Sequence, residues 1–357
     1  MADEPALVAP VLPWLAAPLA RALETQTAHA LLLHAPGGVG QFELGLLLAQ
    51  GWLCESTTTP VTKRPCGVCA SCRLVAAHSH PDMLVLVPEA LRESLGWAAE
   101  EVEEGGAERS GKKKPSKDIR VEEVRAAIAL ALTTSSRGRG KAIVIHPAER
   151  MNPIAANAFL KTLEEPAGDA RFVLCTAAPD ALLPTIRSRC QAIALPLPPT
   201  EVAARWLAAQ GVDEPEVLLA GCGGQPQDVL ALAQLGVDAA AWRALPGRVA
   251  AGDVSALRGW PLPLAIDALQ KLCHDAASAA AGAAPRYFAA ETLPRRAAEL
   301  GALLRWAREL RRVAEFAEHP WNAELVLESL VEQGREALQT PRSAPLRGEV
   351  DSLHLRR

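Results

Sequence analysis

Five short apolar runs punctuate the first half of the chain: ALLLH at 30–34, MLVLV at 83–87, AIVIH at 142–146, RFVLCT at 171–176 and QAIAL at 191–195. Each is bounded by polar residues, Gly or Pro, the pattern of strands buried on both faces. Between them lie segments with helical spacing, including IRVEEVRAAIALAL and NAFLKTLEEP, the latter ending at Pro166. Alternation of strand and helix predicts an α/β domain built on a parallel, doubly wound sheet. After LPLPPTEV at 195–202 the strand signals stop. A small helical piece runs from 200 to about 240, and a Pro/Gly-punctuated stretch near 246–263 leads into a longer helical domain. There Leu293, Ala297, Leu300, Leu304, Ala307 and Ala314 recur at helical spacing and are expected to share one packed face. The resulting division is an α/β domain over 1–199, a helical piece over 200–245, a helical domain over 246–340 and a loosely ordered tail over 341–357.

Residues 89–118 break the alternation. They carry EEVEEGGAERSGKKKPSKD, an acidic block followed by a basic one with no apolar period, and read as a mobile surface insertion. Lys112, Lys113 and Lys114 read as solvated charge rather than as a DNA-binding finger.

Composition adds bounds. At 357 residues the chain exceeds what one hydrophobic core usually organises. A net charge of −4 supplies no global basic field, so any contact with DNA is expected to be local or shared. The N-terminus, with Asp3, Glu4 and several prolines, does not read as a signal peptide, and no run is long and apolar enough to span a bilayer. The expected setting is cytoplasmic, where thiols stay reduced and clustered cysteines point to metal or redox work.

Such a cluster exists. Cys54, Cys66, Cys69 and Cys72 form C-x11-C-x2-C-x2-C, the spacing of a closed tetrahedral thiolate shell for Zn²⁺. A redox pair built on one C-x2-C is the competing reading, and the two further cysteines count against it. His78 and His80 read as ordinary loop residues, while Cys175, Cys190, Cys222 and Cys273 are dispersed and read as small buried hydrophobes.

The segment APGGVGQF at 35–42 follows a strand and opens a helix, where a phosphate loop would sit. Gly37, Gly38 and Gly40 are in place, yet Ala35 replaces the first glycine of G-x-x-x-x-G-K-[ST], Gln41 the lysine and Phe42 the hydroxyl. The third run ends in AIVIHPAERMN, so His146, Pro147 and Ala148 stand where an ATPase needs carboxylates, and Glu149 comes late. Glu149 is expected to cap or pair at the surface. TIRSRCQAI at 185–193 places Arg187, Ser188, Arg189 and Cys190 just before the fifth strand. Arg189 can project from the domain edge toward a phosphate; taken alone, a surface salt bridge is the simpler reading for either arginine.

The combination ALLLHAPGGVG, PCGVCASC, HPD at 80–82, AERMNPIAANAFLKTLEEP and IRSRC resembles the AAA+ subunits of bacterial DNA polymerase III clamp loaders, most of all the delta prime kind. That resemblance is strong over 12–195 and weaker to about 335. It implies a RecA-like AAA+ domain, a helical lid and a helical collar within a five-member ring with tau/gamma and delta subunits. It further implies loading of the sliding clamp onto primed DNA, ATP not hydrolysed by this chain, and Arg189 as an arginine finger acting in trans on a neighbouring tau/gamma site. Gln227, in GGQPQDVL, stands where an ATP-binding relative often has Arg. The alternative, a free-standing P-loop ATPase working on nucleic acid through a zinc knuckle, is disfavoured by Gln41 with Phe42.

Overall fold

A computed structural model describes residues 5–97, 115–166, 168–294, 299–316 and 322–339. The block at 98–114, with Lys112 to Lys114, and the tail from 340 onward lie outside the described residues, as does Ala297. The chain divides into two compact units, Met1–Val202 and Ala203–Arg357.

In the first unit, α1 (Ala16–Thr25) precedes β1 (Ala30–His34), which turns into α2 (Gln41–Leu53) and a short α3 (Ala70–Ala76). Then come β2 (Met83–Leu86), α4 (Glu89–Arg92), α5 (Val121–Leu132), β3 (Lys141–Ile145), α6 (Pro153–Glu164), β4 (Ala170–Thr176), α7 (Pro184–Arg187) and β5 (Gln191–Ala194). The five strands form one parallel sheet in the order β2-β3-β4-β1-β5. All five runs read from the sequence are strands, within a residue at either end. The margins of the 89–118 segment depart from the mobile insertion expected there. Glu89–Arg92 is helical, Ala90 N–H donates to Ser116 O at 3.0 Å, and Arg120 pairs with Glu89.

Helices cover both sheet faces, which is why β1 and β3 are apolar at nearly every position. On one face Phe159 of α6 meets Phe172 of β4 edge to face, within a core that includes Leu32, Val124, Ile143 and Leu174. On the other, α2 presses so close to the sheet that a Cβ at Gly45 would stand 2.7 Å from Cys175 Sγ. Glycine there lets the helix seat.

The second unit is helical: α8 (Thr200–Ala209, entering from the first unit), α9 (Pro215–Gly221), α10 (Pro226–Gln234), α11 (Ala239–Ala250), α12 (Leu262–Ala280), α13 (Leu300–Glu315) and α14 (Ala323–Gln339). Two points correct the sequence reading. Pro246 lies inside α11, so the boundary expected at 245 falls within a helix. The buried face of α13 is Ala302, Leu303, Trp306 and Leu310, whereas Leu300 and Leu304 are exposed. The indole decides that register. Trp306 fits against Gly334 of α14 and donates to Leu330 O at 3.0 Å, turning the Leu300/Leu304 stripe outward. Among the described residues no helix is long and apolar enough to cross a membrane.

Candidate functional site

The four cysteines come together. Cys54 ends α2, Cys69 caps α3, Cys72 lies within α3, and Cys66 precedes the turn at Gly67. Their four Sγ atoms all lie within 4.8 Å of one another, and Cys66 Sγ to Cys72 Sγ is 3.9 Å. Tetrahedral thiolate ligation with metal–sulfur bonds of about 2.3 Å requires sulfur separations of about 3.8 Å. The set therefore fits a thiophilic divalent ion with no position left open. Amide donation also suits it, since Cys69 N–H points to Cys66 Sγ and Cys72 N–H to Cys69 Sγ, both at 3.4 Å. Burial opposes ionisation of Cys66, but the amides of Val68 and Cys69 bring it down to about 7. Burial pushes the Cys72 thiol well up without a metal.

The backbone around the sulfurs is held by side chains that sequence reasoning missed. Gln50, fully buried in the apolar C-terminal half of α2, donates to Cys72 O and Ala6 O at 2.9 Å and accepts from Val8 N–H at 3.1 Å. Arg139 donates to Cys54 O through Nε at 3.1 Å and Nη2 at 2.5 Å. Arg137 pairs with Glu55, next to the first cysteine.

His80 is not an ordinary loop residue but a buried link between the cysteine segment and the sheet. Its Nδ1 accepts from Asp82 N–H at 3.0 Å, so the neutral ring carries its proton on Nε2, which faces Ser71 Oγ at 2.8 Å. Ser71 in turn donates to Leu53 O at 2.6 Å. Burial lowers the imidazole pKa, consistent with this neutral relay. Asp82, also fully buried, accepts from the amides of Ser136 (2.8 Å) and Arg137 (3.0 Å), the Ser135 hydroxyl (3.1 Å) and Lys141 Nζ (3.1 Å). The HPD motif at 80–82 marked His80 and Asp82 in the sequence, but nothing local named Ser71, Ser135 or Lys141 as their partners. His78, by contrast, adopts a positive φ and stacks on Trp97 at 3.8 Å. Of the dispersed cysteines, Cys175, Cys222 and Cys273 are buried as expected, while Cys190 is half-buried.

At the C-terminal end of β1 the glycine turn keeps its shape. Gly38 and Gly40 have φ of 68° and 108°, and Gly40 serves as the N-cap of α2. A Cβ at Gly40 would meet Leu12 and Leu15 at 2.8 and 2.9 Å, and Trp14 Nε1 donates to Val39 O at 2.7 Å. The segment before α1 therefore packs on the turn. Gln41 and Phe42 are buried, and Phe42 stacks on His146 at 4.4 Å and 17°. Two departures noted separately in the sequence are thus one contact: an aromatic pair fills the place of a hydroxyl and a carboxylate. Burial brings the His146 pKa down to about 4, so the ring is neutral. Glu149 Oε1 accepts from Ala177 N–H at 3.2 Å, and its Oε2 is buried without a hydrogen-bond partner among the described residues.

Arg189 is ion-paired with Glu164 at the end of α6 and donates to Thr185 O at 2.9 Å, so in this structure it does not project freely. Arg187 pairs with Asp180. Both arginines form the salt bridges that the simpler reading anticipated.

A parallel sheet in this order, with a glycine turn delivering α2 at the end of β1, defines a RecA-like AAA+ domain. The chain belongs to the family described as DNA polymerase III, delta subunit, which matches residues 15–199. It is similar to DNA polymerase III subunit delta' of Pseudomonas aeruginosa, 40% identical over 205 residues that cover 56% of this chain and 54% of that protein. The delta' subunit of Escherichia coli is 33% identical over 209 residues, covering 58% and 54%. The tau subunit of the same organism is 32% identical over 162 residues, 45% of this chain and 20% of that one. The aligned region thus spans about half the length of the delta' relatives. Among solved structures, a gamma-subunit-related protein of Thermotoga maritima aligns with 91% of this chain and 99% of its own, at 18% identity and a TM-score of 0.47.

Proposed function

We propose that this chain is a non-hydrolysing subunit of the DNA polymerase III clamp loader. In this reading it works in a five-member ring with tau/gamma and delta subunits and helps load the sliding clamp onto primed DNA. The observation that carries the reading is the Phe42–His146 stack beside Gln41. A phosphate loop needs a cation against the β/γ-phosphates and a hydroxyl and carboxylate for Mg²⁺. A buried amide and two packed rings supply neither. The glycine turn is then retained because it joins β1 to α2. The four-cysteine knuckle holds Zn²⁺ as a structural ion, since a closed thiolate shell leaves no site for a substrate. In the second unit, α8 to α10 serve as the lid and α11 to α14 as the collar.

Arg189 acts in trans as an arginine finger on the ATP of an adjacent tau/gamma subunit. Its pairing with Glu164 is the resting arrangement, and a neighbouring γ-phosphate, with more charge and more acceptor oxygens, displaces the carboxylate. In the reconstituted complex, Arg189→Ala should leave assembly and metal content intact while cutting DNA-stimulated hydrolysis at the site it serves by about 10³-fold. Arg189→Lys should rescue little, because a point charge lacks the guanidinium fork. Arg187→Ala should behave as wild type. Wild-type hydrolysis and clamp loading by Arg189→Ala would end the trans-acting role.

A further inference from the structure

A hollow of about 620 Å³ opens at the N-terminal ends of β1, β3 and β4, the end of the sheet opposite the glycine turn. Its walls come from the end of α1, the last turn of α2, the cysteine segment, and the turns that lead into β3 and β4. Three guanidinium groups line it: Arg64, Arg139 and Arg171. None makes an ion pair among the described residues. Arg64 donates Nη2 to Ser56 O at 2.7 Å, Arg139 is bound to Cys54 O, and Arg171 lies over the Trp52 ring at 5.2 Å. The lining carboxylates, Glu24 and Asp169, are exposed.

Three polar atoms on this lining are buried without a hydrogen-bond partner among the described residues: Arg64 Nε, Trp52 Nε1 and Gln26 Oε1. Buried donors are nearly always paired, so an orphan indole N–H and an orphan N–H on one of three guanidinium groups that lack carboxylate partners mark a place that wants an acceptor-rich anion. Two glycines shape the mouth. Gly138 and Gly168 have φ of 67° and 56°, and a Cβ at either would meet nothing within 4 Å.

We propose that this hollow binds a phosphate group. Several arginine forks around one space exceed what a lone carboxylate can occupy, and they match the oxygens and charge of a phosphoryl group. The volume falls in the range of small-molecule sites, so the group enters with its substituent, as a small phosphoanion or as part of a nucleic-acid backbone. Trp52 Nε1 and Arg64 Nε contact its oxygens, Arg171 and Arg139 supply charge from the rim, and Gln26 Oε1 takes a donor of the substituent. The site is separate from the degenerate phosphate loop, and its occupancy does not depend on the clamp-loader reading.

The test is calorimetric titration of the full, metal-replete chain with inorganic pyrophosphate and, separately, with a short oligothymidylate. Both should be repeated on Trp52→Phe, which keeps the ring and loses the N–H, and on Arg171→Ala at the rim. Binding of at least one probe, weakened about tenfold in each variant while metal content and melting temperature hold, is the expected result. Pyrophosphate alone binding identifies a small phosphoanion; oligothymidylate binding that pyrophosphate displaces identifies a strand backbone. If neither probe binds, or both variants bind as the wild type does, the orphan donors are served by water and the site does not exist.

Discussion

Asp82 concentrates the polar logic of the first unit in one carboxylate. Burial alone would favour its neutral form, but the amides of Ser136 and Arg137, the Ser135 hydroxyl and the Lys141 ammonium hold its pKa down to about 2. The stabilisation it contributes is therefore complete above its ordinary value of 3.8 and drains away as pH falls toward 2. Asp82→Asn keeps the shape but leaves Lys141 buried without a counter-charge, and it should cost about 3–5 kcal/mol in urea unfolding at neutral pH. A loss below about 1 kcal/mol would mean that Lys141 finds another partner or reaches water. His146 gives the same direction for a different reason, since burial favours its neutral form rather than a charge. Its folded pKa, near 4, lies below its ordinary 6.5, so the unfolded chain takes up a proton first and stability falls as pH drops from 6.5 toward 4. His146→Phe preserves the stack on Phe42 and should flatten that part of the stability–pH curve; an unchanged slope would assign it to other groups.

Among the elements, strands and phosphate-loop turn were legible because period and punctuation speak directly about local structure. The alternation around APGGVGQF located β1, the turn and α2, and the C-x2-C steps located the knuckle, because ligand spacing is a local property. What the sequence hid was the company that distant residues keep. Phe42 and His146 are far apart in the chain and read as two losses, yet they form one stack. His80 read as a loop residue and Asp82 only as part of the HPD motif, since nothing local reveals that Ser71 and Lys141 will face them. In α13 two apolar stripes compete, and Trp306 against Gly334, a pairing between helices, selects the one that is buried. At the knuckle, helix and metal are coupled: α3 starts at one cysteine and contains another. Cys69→Ser should abolish stoichiometric zinc, expected at about one ion per chain in the wild type, and expose the 54–72 segment to proteolysis, because ligation energy there is folding energy. Elemental analysis showing zinc retained by Cys69→Ser, or no zinc in wild-type protein expressed with ample metal, would contradict the closed thiolate site.

For the whole molecule, the family match fixes the AAA+ domain, while a buried aromatic stack stands where nucleotide chemistry would be. Under the proposed function, catalysis sits in a neighbour and this chain contributes geometry and one guanidinium. The most direct test of that proposal is steady-state ATP hydrolysis measured three ways: the purified chain alone, tau/gamma with delta, and all three together on primed DNA with the sliding clamp. The prediction is no turnover by the chain alone and full DNA-stimulated hydrolysis and clamp loading only when it completes the assembly. Mg²⁺-dependent turnover by the isolated chain, lost when the glycine turn is altered at Gly40, would contradict the account.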